Sequence, residues 1–598
     1  MHNFVTRIRR YLRREGLRRS WLAWRWVVLG LVLLVTVWLG SVGFAKAVPQ
    51  PAVGAVPVQA SAGWPQFLYQ SLQLFVLEYN GPAAPPLELE IARWLALGVA
   101  FFAAVRALIA IFNVEVQQMR VHFARGHVVV CGLDRKGWLL AQSFHREGEL
   151  VVCIERDTTN AFAHECQEDG IPVLYGDATK LAMLRKANVD HARLVYAVTG
   201  QDSTNADIAV STRLVSGDTP DGPPLECVVH VVDPQLCSLL NQERLDSGAT
   251  GSFRLSFFNI FDGAVEALIE EHSPFEDADG QLLAEPHMLV IGVGRMGEAL
   301  VARSAREWWR AHRGTGARFH VTLIDRRADV IAGRMAQRYP RLPQACEIVA
   351  LTMELPSAAF LDADYLKAEP GRPAVTGAYV CLDDDTLNLS TALFLAQPLR
   401  TRAVSVMVRA AHETGLATLL QTTQSGLAAR VFPFGLMERT CRPGVPLTHE
   451  RLAMAIHDAY VARRRAEGDT LATNPSLLDW EDLPASLRES NRRQVDHIGE
   501  KLRAVGYSIG LLADWDAEDF AFGAAQVETM ARMEHDRWVA ERRAGGWRSG
   551  PEKDIRRKVT PFLVEWEALD VRRKESDREV VRAIPRLLAE NGFQVMRA

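Results

Sequence analysis

No CxxC pair occurs in this sequence, and its eight cysteines are scattered. Without paired thiols at ligand or redox spacing, a structural zinc site and a thioredoxin-type motif are not expected. Cys131 and Cys153 fall in runs that read as strands, so they read as buried core thiols of a chain kept in a reducing compartment. A surplus of one charge sign is also missing. The formal net charge is -4 over 598 residues, which gives no sign of a nucleic-acid partner. No Ser-His-Asp set or acid/base pair stands at a recognisable spacing, so no catalytic residues and no enzyme activity are expected. The length calls for several domains.

Positive charge is instead concentrated at one end. Arg7, Arg9, Arg10, Arg13, Arg14, Arg18 and Arg19 face only Glu15. Trp26 to Phe44 follows, almost wholly apolar and long enough to cross a bilayer. It is too long for the apolar core of a signal peptide, and a second stretch follows at Ile91 to Phe112. Two spans are therefore expected within a membrane domain of residues 1–120. Arg93 and Arg106 lie towards the ends of the second stretch, where their stems snorkel. The Arg-rich start stays cytoplasmic. That makes the chain a multi-pass protein of a bacterial inner membrane, with both termini in the cytoplasm. Between the spans, Trp64 to Glu78 reads as an amphipathic helix, with Pro65 in its first turn. Either a re-entrant pore helix or an interfacial helix fits it. The residues after it, Glu78-Tyr79-Asn80-Gly81-Pro82, are not the Thr-x-Gly-aromatic-Gly segment of a potassium filter.

From Gly126 the pattern changes to strand, tight turn and helix. Val128-Val129-Val130-Cys131 runs into Gly132-Leu133-Asp134-Arg135-Lys136-Gly137, the opening of a dinucleotide-binding unit. A second strand, Val151 to Ile154, ends at Glu155, placed to accept from ribose hydroxyls. Strands follow at 172–175, 194–198 and 228–232. Phe257 to Ile269 reads as an amphipathic helix. The motifs HVVVCGLDRKG, VVCIERD, VLYGDAT and VYAVTGQDSTN, in this order, resemble the RCK (regulator of potassium conductance) domain over about residues 126–270. That resemblance implies a Rossmann-like domain that binds a nucleotide, pairs with copies of itself and gates a channel or transporter. It also makes Gly132, Gly137, Glu155 and Asp177 ligand contacts. Asp134 departs from the usual middle glycine. It either caps the helix and weakens the phosphate site, or is offset there by Arg135 and Lys136.

An acidic linker at 274–286 leads to a second unit. Here the fingerprint is intact: Gly292-Val293-Gly294-Arg295-Met296-Gly297, then a strand at 321–324 ending in Asp325. The intervening segment is lengthened by Trp308 to Arg318. Later strands are expected at 378–382 and 404–408. The chain thus reads as an α/β protein with tandem Rossmann-like doubly wound parallel-sheet domains, at 121–275 and 276–445. A mostly helical region, 446–598, follows.

Within that last region, Met530 to Trp538, Glu541-Arg542, Gly545-Gly546-Trp547, Pro561 to Trp566 and Asp577-Arg578 resemble the ryanodine-receptor (RyR) repeat domain, over about residues 525–595. Leu487 to Arg493 resembles the lead-in of its prokaryotic form, which implies recognition of a nucleotide-like molecule. Trp538 and Trp547 offer stacking faces or core packing. Arg537 or Arg542 offers a phosphate contact, and His535 is a ligand contact or a helix-packing residue.

Taken together, these features lead us to expect a membrane homo-oligomer, as a tetramer, controlling the flux of ions, potassium among them. Its cytosolic domains would sense NAD or another adenine nucleotide. The alternative is a non-conducting, membrane-anchored nucleotide sensor that signals through a partner.

Overall fold

The computed structural model describes residues 30–47, 63–82, 84–216, 224–248, 253–277, 280–402, 404–410, 430–435, 437–552, 554 and 556–598, with backbone only at 106–118 and 438. The chain divides into two compact units, Met1–Arg120 and Val121–Ala598.

The first unit is helical. Among the described residues, Gly30–Ala47 is the one helix that passes a length-and-hydropathy test for crossing a membrane. Residues 26–29 of the expected first span lie outside the described residues. The expected second span lies inside the 36-residue helix Leu87–His122. The unit buries an apolar cluster of Phe44, Phe67, Leu74 and Leu89, yet large apolar residues also cover its outside. Leu31, Leu34, Trp38, Trp94 and Phe101 face outwards, whereas Thr36, Ser41 and Ser71 are buried. The Thr36 hydroxyl donates to Val32 O at 2.7 Å, as a polar group away from water must. Small residues set the helix spacing. A Cβ on Gly40 would lie 2.8 Å from Ser71 Oγ, and one on Gly43 would lie 2.6 Å from Leu89 Cβ. Ser41 Oγ and Ser71 Oγ meet at 3.2 Å across the same contact. Small-residue contacts bridged by hydroxyls are the packing mode of helices in lipid.

The second unit contains two parallel six-stranded sheets. In the first, β1 (Val128–Cys131), β2 (Val151–Glu155), β3 (Val173–Tyr175), β4 (Leu194–Ala197), β5 (Leu225–His230) and β6 (Phe253–Phe258) are ordered β3-β2-β1-β4-β5-β6. The second is built from β7 (His287–Ile291), β8 (Phe319–Asp325), β9 (Cys346–Thr352), β10 (Gly377–Val380), β11 (Ser405–Arg409) and β12 (Val431–Phe434), ordered β12-β11-β10-β7-β8-β9. The two orders are the same, so the internal repeat is structural. β1 and β7 are wholly buried, as short apolar runs in doubly covered parallel sheets should be.

Several expectations change. The strand expected at 228–232 is shifted to Leu225–His230. The helix read from Phe257 begins at Ile260, after a strand. Asn259 makes that break, because its side chain accepts from Phe261 N and Asp262 N and caps the helix. β9 and β12 carry no clear alternation and are additional to the expected strands. The extra segment at Trp308 prolongs the helix Arg295–Ala311. Trp308 is buried against Phe275 and Phe319.

The C-terminal helices pack on both sheets. Arg244 and Arg254 reach Asp496 and Glu489 at 2.9 Å. Trp515 enters the core of the second sheet, and Trp309 Nε1 donates to Asp516 Oδ1 at 2.8 Å. Arg313 meets Glu518 and Asp519, each at 2.8 Å. All eight cysteines are buried thiols outside any disulfide, and burial pushes Cys131 and Cys381 up to about 12.

Candidate nucleotide sites

In both Rossmann units the glycine turn joins the central strand to a helix aimed at the crevice where the strand order reverses, the usual ligand position in such sheets. In the first unit, Gly132 has φ +95°, and a Cβ there would meet Thr199 at 2.9 Å. A Cβ on Gly137 would lie 1.9 Å from Gly132 O, so this position admits only glycine. The second unit repeats the geometry. Gly292 has φ +82° and faces Leu382, while a Cβ on Gly297 would lie 2.5 Å from Gly292 O.

The two strand-terminal acids are tethered alike. Glu155 accepts from Leu133 N and Arg156 N, both at 2.7 Å. Asp325 accepts from Val293 N and Arg327 N, both at 3.0 Å. Each carboxylate is thus held over its glycine turn at the edge where a ribose would lie.

The middle position separates the two crevices. The Asp134 side chain accepts from Lys136 N at 2.9 Å and from Gly137 N at 3.2 Å, and its other oxygen contacts Lys136 Nζ. Those amides are the ones a phosphate would use. At Gly294 no side chain caps the helix, and a Cβ would meet nothing within 4 Å. Asp177 accepts from the Thr179 amide at 3.0 Å and hydroxyl at 2.7 Å, which holds its carboxyl below the ordinary value. It is therefore already engaged in its own turn.

Two buried asparagines stand outside the expected site residues. Asn205 accepts from Thr199 N at 2.8 Å and donates to His230 O at 3.0 Å. Asn388 accepts from Leu382 N at 2.9 Å and donates to Arg409 O at 3.1 Å. Both join the end of the fourth strand of their sheet to the end of the fifth and so shape the crevice wall. The repeated spacing Asp202-x-x-Asn205 and Asp385-x-x-Asn388 was the available signal. Asn388→Ala strips partners from buried backbone groups at once, at a cost of about 1–3 kcal/mol each. A lower urea midpoint for the full chain is expected, and an unchanged midpoint would remove the clamp role.

In the C-terminal region, Trp538 and Trp547 are half-buried around one guanidinium. Arg542 Cζ lies 5.5 Å from the Trp538 ring and 5.1 Å from Trp547. Arg573, absent from the expected site, lies 5.0 Å from Trp538 and 5.8 Å from Phe562. Arg537 is spent internally on Glu534 at 2.7 Å and Glu541 at 2.6 Å, so it is not a phosphate contact. His535 is fully buried, with Nε2 2.8 Å from Val564 O and Nδ1 3.6 Å from Asp577. It packs beneath Trp538 rather than lining a surface. Burial disfavours its protonation, but Asp577 and Val564 O outweigh this and raise its pKa. Arg573 also pairs with Asp577 at 3.3 Å, which leaves the Arg542 guanidinium between the two indoles as the group suited to a flat anion.

Among known proteins, two family profiles match this chain. Residues 128–248 match the TrkA-N domain and residues 523–597 match the RyR domain. A Trk system potassium uptake protein TrkA homolog of Pyrococcus horikoshii is 28% identical over 108 residues, 18% of this chain and 44% of that protein. Its counterpart in Pyrococcus abyssi is 27% identical over the same length and shares. An uncharacterised protein of Methanothermus fervidus is 27% identical over 89 residues, 15% of this chain and 14% of that protein. The matches therefore span less than half the length of these curated relatives. Among solved structures, the GsuK channel is similar at 16% identity and TM-score 0.36, over 70% of this chain and 96% of that one. The GsuK channel bound to NAD is similar at 15% identity and TM-score 0.33, over 71% and 82%. Residues 128–248 are thus similar to a TrkA-N (RCK-like) domain and residues 523–597 to a RyR domain, both within one polypeptide.

Proposed function

We propose that this chain is a subunit of a membrane ion channel, possessing no enzyme activity, whose cytosolic part senses an adenine nucleotide such as NAD or ADP. The observation that carries the sensing half is the uncapped glycine turn at Gly294 beside the tethered Asp325. It offers free helix amides to a diphosphate and a carboxylate to a ribose. The Trp538-Arg542-Trp547 cluster offers a second nucleotide-like site. The membrane half is supported by the outward apolar surface of the first unit and its buried Thr36, Ser41 and Ser71 hydroxyls.

In this reading, helices Gly30–Ala47 and Leu87–His122 both cross a bacterial inner membrane, with both termini in the cytoplasm. A two-span hairpin cannot enclose a pore, so several copies assemble, four in the simplest ring. Ion flux changes only if the nucleotide binds the open and closed assemblies with different affinity. Potassium as the ion is supported by the names of the Pyrococcus relatives.

A second reading, a non-conducting membrane-anchored sensor, is favoured by one observation. Helix Trp64–Gln73 runs into Glu78-Tyr79-Asn80-Gly81-Pro82, where Tyr79 Oη donates to Pro82 O at 2.7 Å. That turn is not a filter of stacked carbonyls. The test is potassium flux in liposomes holding the full chain, with and without ADP or NAD. Nucleotide-dependent flux is expected; impermeability under all conditions would leave the sensor reading.

A further inference from the structure

The two crevices differ in more than one residue, and the differences act in the same direction. At the middle glycine position the first unit has Asp134 and the second has Gly294. The Asp134 carboxylate already takes the two helix amides, Lys136 N and Gly137 N, and one cation, Lys136 Nζ. It therefore fills, with its own negative charge, the place a phosphate would occupy.

The opposite wall differs as well. His230 ends β5 and Arg409 ends β11, and each offers its carbonyl to the buried asparagine of its unit. They are the same position in the repeat. His230 is buried, and burial, with Lys136 adding to it, lowers its pKa to about 4. It is neutral at physiological pH. Arg409 is a permanent cation. It is held by Leu382 O at 2.8 Å and by the exposed Asp383 at 2.7 Å. It stands by the first turn of the phosphate-facing helix: a Cβ on Gly435 would lie 3.7 Å from Arg409 Cγ and 3.4 Å from Met296 Cε. The first unit thus has a carboxylate and a buried, neutral imidazole at the positions where the second has a bare glycine and a guanidinium paired with Asp383.

We propose that the first crevice is closed to phosphate by Asp134, a built-in stand-in for the anion, so that the Rossmann pair takes one phosphorylated nucleotide per chain, in the second crevice. The second-crevice clause rests on the sensing reading above; the closure of the first does not. The pair is then a division of labour. One unit responds to ligand, and the other, which directly follows helix Leu87–His122 in the chain, keeps a fixed turn.

Hydrogen–deuterium exchange of the full chain with ADP resolves the two turns separately. In the wild type, ADP is expected to slow exchange at residues 292–297 and to leave 132–137 unchanged. Asp134→Gly frees the two amides without adding bulk, and glycine is tolerated at a helix N-cap. In that variant, ADP is expected to slow exchange at least ten-fold at Gly137 and to add one equivalent of bound ADP by calorimetry. Asp134→Ala serves as a second variant with the same expectation. ADP protection of 132–137 in the wild type would overturn the proposal. So would an absence of protection in both variants while each retains the wild-type melting profile. Absence of protection at 292–297 would instead sink the sensing reading, and the Asp134 comparison would stand apart from it.

Discussion

Gly294→Asp is expected to lower affinity for ADP about 100-fold, a loss of about 3 kcal/mol. A carboxylate there would cap the helix as Asp134 does and would face the ligand's diphosphate. Two like charges about 5 Å apart in a medium of effective dielectric about 20 repel by about 3 kcal/mol. The fold should be unharmed. A Cβ at Gly294 meets nothing within 4 Å, and aspartate is a favoured N-cap. The melting profile is thus expected to hold while calorimetric affinity falls. Affinity within two-fold of the wild type would place the nucleotide elsewhere, with the Trp538-Arg542-Trp547 cluster the next site to probe.

The second large effect concerns stability. Lys501 Nζ and Glu534 Oε2 meet at 2.6 Å, and both side chains are almost fully buried. Glu534 also holds Arg537 at 2.7 Å. Glu534→Ala would leave a buried ammonium unpaired, at an expected cost of about 3–5 kcal/mol. Lys501→Met should cost distinctly less, because Glu534 keeps Arg537 and a methionine fills the space. Urea unfolding followed by tryptophan fluorescence checks the asymmetry, and equal losses would contradict it. The pair also sets a pH dependence. Burial opposes ionisation of Glu534, but Arg537 and Lys501 outweigh it and hold the carboxyl well below its ordinary range. Its stabilisation is therefore complete above the unfolded pKa of about 4.3 and lost as pH falls towards the folded value. Asp496, held down by His449, Arg244 and Arg254 against its own burial, acts in the same window. Acid unfolding should consequently be shallower in Glu534→Ala than in the wild type.

The positioning glycines were legible because steric demand leaves no other choice. Gly132, Gly137, Gly292 and Gly297 sit where a Cβ strikes backbone or a neighbouring strand. The cap role of Asp134 was legible for a related reason, since its partners are two and three residues away. β6 was not legible, because Phe253–Phe258 runs without a break into an apolar helix and only the Asn259 cap separates them. Arg573 was missed because its partners Trp538 and Phe562 come from other elements. His535 and Arg537 were named from the resemblance of their segment to the RyR domain. Their burial depends on Val564, Asp577 and Lys501, which no local pattern links to them.

The sequence by itself determined the duplicated strand-turn-helix units, the two strand-terminal acids, the aspartate-for-glycine difference at the middle of the two glycine turns, and the apolar stretches of the first 120 residues. These depend on backbone sterics, periodicity and local capping, which act within a few residues. Only the tertiary structure decided which charges are spent and which are free. Lys501 is neutralised across helices by Glu534, and Arg573 is brought over Trp538 and Phe562. The repeat places neutral His230 where its partner has Arg409. The acidic segment Asp514–Asp519 docks on the helix that begins at Gly294. Each of these depends on groups distant in sequence meeting at a few ångströms in a low-dielectric interior, where position rather than composition sets the energy.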